Sequence, residues 1–132
     1  MNDTYERALQ EAESWLVSAK HGLAEAEDDY ASANVCCAQA IHAVIRANDA
    51  LSMKFLSHKP TGHDDATIVF AKLVREGKLP DKAAEFKNLV ADAMKDKSGA
   101  DYGKSSFSYE DAEKYVERTE QFIATVKDIL KR

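Results

Sequence analysis

Cysteine, proline and glycine are scarce in this chain: two, two and five respectively among 132 residues, with a single tryptophan. The two cysteines, Cys36 and Cys37, are adjacent. Neighbours on a helix point about 100° apart, so they are poorly placed to bridge each other. A disulfide framework is therefore excluded, and a reducing compartment is expected. No apolar run is long enough to span a bilayer. Met1 to Thr4 shows no basic region followed by an apolar run. No signal peptide is expected, and the protein is expected in the cytoplasm. Positive charge is also short, with 18 basic against 23 acidic side chains and a net charge of −5. That balance argues against a dedicated nucleic-acid or anionic-membrane surface, although it leaves room for a local basic pocket. Gly-rich phosphate loops, nucleophile elbows, paired Cys motifs and zinc-protease signatures are all missing. Accordingly no metal, no cofactor and no catalytic residue is assigned.

What is present is helical periodicity. Tyr5, Leu9, Ala12, Trp15, Leu16, Ala19, Leu23 and Ala26 recur at steps of three and four, with Asp3 and Thr4 as cap candidates ahead of them. From about Tyr30 to about Leu51 the chain is apolar nearly all round, rich in alanine and cysteine, which predicts the central helix. The segment Ser52 to Gly62 reads as the longest irregular stretch. A third helix is expected from near His63, closed by Gly77, and a fourth from Leu79-Pro80-Asp81, followed by a loop from about Ser98 to Phe107. Ser108 and Asp111 have the spacing of a capping box for a final helix. No alternating run of strand length occurs. The expected fold is all-α: residues 1–132 as one antiparallel bundle of about five helices. The near-continuous apolar character of the second helix suggests a surface left to cover, so a homodimer is expected.

A few polar residues stand apart from this pattern. Arg46 and Asp49 interrupt the most apolar helix at i, i+3. They can pair with each other, or Arg46 can serve as an anion contact in a polar pocket. His58 and His63, with Asp64 and Asp65, form the only local histidine cluster. They read as loop hydrogen bonding and helix capping, or alternatively as a metal or acid/base site. His42 is expected to be a hydrogen-bonded core residue, and His21 to be solvated. Asp101 and Tyr102 can contact a ligand or close the loop ahead of the last helix.

From Asp28 onward the order of features resembles the HEPN domain family of prokaryotes. Asp29-Tyr30-Ala31-Ser32-Ala33, Cys36-Cys37-Ala38 and Ala43-Val44-Ile45 match the family's second helix. Leu56-Ser57-His58-Lys59 matches its Lys/Arg-Ser-His loop, and Val69-Phe70 through Gly77 its Phe-containing helix. Ala100-Asp101-Tyr102 and Ser108 to Phe122 match the loop and capped helix that end it. The resemblance implies a helical bundle that commonly dimerises and often acts beside a minimal nucleotidyltransferase in toxin–antitoxin pairs. Many such toxins are metal-independent ribonucleases with an Arg followed four to six residues later by a His. Here Lys97 falls on the Arg slot and Tyr102 on the His slot. Lysine lacks the planar fork that grips phosphate, and tyrosine titrates too high to replace histidine near neutrality. The expected function is a non-catalytic or degenerate member, acting as a dimeric interaction or nucleotide-binding module and partnering a nucleotidyltransferase. Its alternative is a ribonuclease toxin with a Lys97/Tyr102 site. The residues expected to contact a nucleotide or RNA are Arg46, Asp49, His58, Lys97, Asp101 and Tyr102.

Overall fold

The computed structural model describes residues 4–27, 29–57, 63–101 and 107–131, without the side chains of 63–65 and 98–101. Among the described residues there are five α-helices and one 3-10 turn, and no strand. The helices are α1 (Tyr5–Ala24), α2 (Tyr30–Leu56), α3 (His63–Arg75), α4 (Lys87–Asp101) and α5 (Tyr109–Leu130).

Each boundary has a local cause. Thr4 caps α1 by accepting from the Arg7 N–H. Asp29 caps α2, accepting from the N–H groups of Ala31 and Ser32 and from the Ser32 hydroxyl. These bonds hold its carboxyl below the usual range. Nothing breaks α2 at Leu51, where it was expected to end. It runs to Leu56 and stops at Ser57, whose φ is 65°. Gly77, at φ 73°, closes α3 in a Schellman arrangement: Lys78 N–H bonds to Leu73 C=O and Gly77 N–H to Val74 C=O. The expected fourth helix opens as a 3-10 turn, Asp81–Phe86, before turning α-helical. It then continues through Ser98 and Gly99 to Asp101, where a loop was expected. Ser108 and Asp111 form the expected reciprocal capping box on α5.

Contacts across the seams fix the topology. Cys36 Sγ donates to Ala19 O, His42 stacks on Trp15 and Arg46 pairs with Glu11, so α1 and α2 are antiparallel. Lys20 pairs with Glu120 and Lys127 with Glu13, which sets α5 antiparallel to α1. Asp92 meets Arg118 and Asp96 meets Tyr115, which sets α4 antiparallel to α5. The α1–α2 contact is built from residues with little side chain: Ala8, Ala12 and Ala19 against Cys36, Ala40, Ala43 and Ala47, all fully buried. Below it, Phe122 of α5 packs on Phe70 of α3 at 6.1 Å and on Phe86 at 5.3 Å between ring centroids.

Two residues expected inside are not. Trp15 lies on the edge of the α1 stripe and is 39% exposed, with Leu16 taking the buried position. His42 is half-buried and stacks on Trp15 rather than lying in the core. The second helix is not covered all round either: Val35 is 57% exposed. Asn48, Ser52 and Thr119 are buried, and their side-chain polar atoms meet no hydrogen-bond partner among the described residues, a cost the apolar core must offset. Among those residues no helix is long and apolar enough to cross a membrane.

The three-ring contact of Phe122 gives a direct test of this packing. Phe122→Ala should destabilise the fold by about 3–5 kcal/mol, because the cavity between α3, the 3-10 turn and α5 cannot close. Urea unfolding followed by circular dichroism measures it.

Candidate functional site

Two polar regions are built on this frame, one on the α1–α2 seam and one between α4 and α5. The first contains Arg46 and Asp49. Arg46 is held from two sides: its Nε donates to Glu11 Oε2 at 2.7 Å and its Nη1 to Asp49 Oδ2 at 3.1 Å. Its side chain is 15% exposed, and Glu11 also lies 3.8 Å from Arg7. Two carboxylates thus neutralise the guanidinium that the sequence offered as an anion contact. One turn along the seam, the Trp15 and His42 rings stack at 4.8 Å, 22° from parallel. Of this region's members, Glu11 was not singled out by sequence, and Trp15 and His42 were expected as core residues. Periodicity alone puts Trp15 on the apolar stripe, and nothing local pairs Glu11 with a residue 35 positions away.

The second region is a cleft of ≈ 300 Å³ lined by Asp92, Asp96, Phe107, Asp111, Lys114, Tyr115 and Arg118. Tyr115 Oη donates to Asp96 Oδ2 at 2.5 Å. Burial and then this bond push the phenol far above its ordinary titration range, so it stays protonated. Phe107 meets Tyr115 edge-on at 6.1 Å. Arg118 lies 3.9 Å from Asp92, and Asp111 is occupied with the α5 cap. The walls carry three carboxylates against two cations.

These regions separate the residues expected to share one groove. Glu120 of α5 meets Lys20, next to Ala19 and so to Cys36, and Tyr115, five residues earlier on α5, meets Asp96, so the Asp96 end of α4 lies level with the first part of α2. Arg46 is nine residues beyond Cys37 along α2, roughly 14 Å at 1.5 Å per residue. Lys97 follows Asp96 on α4 but is not among the cleft's walls, while Arg46 and Asp49 lie on the α1–α2 seam. Asp101 ends α4, its side chain outside the description. His58 and Tyr102 lie outside the described residues, as do the side chains of His63, Asp64 and Asp65. Among the described residues no group of three or more metal-ligating side chains converges.

Both cysteines are buried free thiols, and Cys36 lies on the α1–α2 seam, where it bonds to Ala19 O. Burial pushes Cys36 up to about 11 and Cys37 up to about 12, the latter helped by its neighbour's charge and by Asp111 and Asp96. They are small core residues, as expected, and poor nucleophiles. Because their folded values lie above the unfolded ones, their contribution to stability is intact below pH ~9 and is lost as pH rises towards 11–12. Iodoacetamide at pH 8 should leave both unmodified in the folded protein and alkylate both in denaturant, as read by mass spectrometry. Stability to urea should also fall between pH 9 and 11.

Arg46→Ala leaves the half-buried Asp49 without this partner. It should cost about 1–3 kcal/mol, less than a fully buried pair because Glu11 stays half exposed. Calorimetric unfolding at low and high salt measures the loss and its electrostatic share.

Residues 5–129 match the family model of the HEPN domain, which is nearly the whole chain. Comparison with curated proteins finds no match. The helix order, the capped final helix and the matched span agree, and the chain belongs to the HEPN domain family.

Proposed function

We propose that this HEPN protein works by binding rather than by cutting RNA: a cytoplasmic homodimer that engages a nucleotide or a partner protein, with a minimal nucleotidyltransferase as the partner the family resemblance suggests. The observation that carries this reading is the charge of the α4–α5 cleft. Its walls hold Asp92, Asp96 and Asp111 against Lys114 and Arg118. An RNA phosphate entering there meets a net negative wall, whereas a phosphodiester nuclease needs converging cations and a group that titrates near neutrality. Tyr115, a titratable aromatic in that cleft, is held in its protonated form by burial and by its bond to Asp96. Exposed apolar side chains on the seam side of the bundle, Trp15 and Val35 among them, support a surface used for contacts. The two free buried thiols fit a reducing compartment.

Rigorously purified protein should leave single-stranded RNA intact over hours, with or without divalent cations. Light scattering at micromolar concentration should give twice the 14.6 kDa of one chain. RNA cleavage that disappears in Lys97→Ala or Tyr102→Phe would assign the ribonuclease function instead. A monomer at all concentrations would remove the dimer.

A further inference from the structure

The inner face of α2 turns polar towards its end. Cys37, Ile41, Val44, Asn48 and Ser52 follow one another at steps of three and four, and all five are buried, Asn48 at 0% and Ser52 at 1% exposure. The first three are apolar. At the last two, an amide and a hydroxyl stand one turn apart on the same face, their Cβ atoms roughly 5–6 Å from each other. Neither end of the Asn48 amide meets a hydrogen-bond partner among the described residues, and neither does the Ser52 hydroxyl. Turning the amide over exchanges its oxygen and nitrogen and changes nothing, because both are unpartnered. The hydroxyl also leaves a local bond unused. Thr125 on α5 returns its hydroxyl to the carbonyl one turn back, Gln121 O, at 3.0 Å. Ser52 has the Asn48 carbonyl in the same relation and does not bond to it.

Three polar side-chain atoms left without partners in a core carry a cost that native folds rarely accept. We propose that Asn48 and Ser52 together hold one internal water, which bridges the amide and the hydroxyl on the inner face of α2. The chemistry of the two groups selects the occupant. The amide donates through Nδ2 and accepts through Oδ1, and the hydroxyl does both, so the occupant must donate and accept as well. It must be small, because both side chains are closed to solvent. It must be uncharged, because the stripe of Cys37, Ile41, Val44, Asn48 and Ser52 offers no counter-charge to an ion of either sign. Water meets all three conditions, and the pair supplies the two or more polar contacts that a buried water needs. Thr119, another buried hydroxyl without a partner, is not part of this site. The Lys20–Glu120 and Cys36–Ala19 pairs put it level with Cys36, twelve residues before Asn48 and roughly 18 Å away along α2.

A high-resolution crystal structure of the full chain should show one water within hydrogen-bond distance of both Asn48 and Ser52. Oxygen-17 relaxation dispersion gives the same answer in solution, since it counts waters held longer than the protein takes to tumble and is blind to exchanging protein hydrogens. Its amplitude should fall by the equivalent of one water in Asn48→Leu, which keeps nearly the same volume and removes the amide. The crystal test needs no variant, so it decides the matter even where Asn48→Leu fails to fold. Density showing Asn48 bonded directly to Ser52, or either side chain bonded to another residue with no water between them, would overturn the site. A dispersion amplitude equal in folded Asn48→Leu and in the unaltered chain would overturn it as well.

Discussion

The close approach of α1 and α2 depends on side chains that barely extend beyond Cβ. Ala8, Ala12 and Ala19 on one helix meet Cys36, Ala40, Ala43 and Ala47 on the other, all fully excluded from solvent. Helix separation follows the size of the residues between the axes, so this seam is tight. The free energy of each alanine is small, but the row lets two long helices lie together over most of their length, and the rest of the bundle assembles on that pair. Larger residues at these positions would push α1 outward and unmake the contacts that α5 forms with both helices.

The tight seam also decides what happens at its edge. Longer side chains cannot enter, so they reach across the outside instead: Arg46 to Glu11, His42 to Trp15, Lys54 over the Tyr5 ring. Each bridge takes a residue out of the role its own helix suggests. Arg46 becomes a neutralised strut, and His42 becomes a ring stacked on Trp15. At the other side of the bundle, α4 and α5 are joined by polar pairs, Asp96 to Tyr115 and Asp92 to Arg118, and a cleft remains between them. These two polar margins differ in chemistry: the Arg46 edge is nearly neutral and the α4–α5 cleft is acidic.

That difference bears on function within the HEPN family. No arginine in the chain is followed four to six residues later by a histidine, and the resemblance puts Lys97 and Tyr102 in those two places. The neighbouring cleft holds its tyrosine protonated and its cations among carboxylates. Such groups underlie our proposal of recognition rather than cleavage.

The helices were legible because their signals are local. The Ser108–Asp111 box, the Asp29 cap and the left-handed Gly77 need only their own neighbours, and the 3.6-residue stripes of α4 and α5 name their buried residues directly. Helix ends without a strong stop were less legible, as with α2 running past Leu51 and α4 past Ser98, where packing carried the helix further than local residues indicated. Periodicity gives a face, but not how far the neighbouring helix extends over it, so Trp15 and His42 read as core although they stand at its rim. The pairing of Arg46 with Asp49 was visible at i, i+3, while its second partner, Glu11, was not. By itself the sequence determined the fold class, the helix caps and the loss of the family's Arg–His pair, because each is written in residue type and spacing. Only the tertiary structure decided which charges cancel, which aromatic ring stays open and that Lys97 and Arg46 lie at different levels of α2, because those depend on how antiparallel helices align.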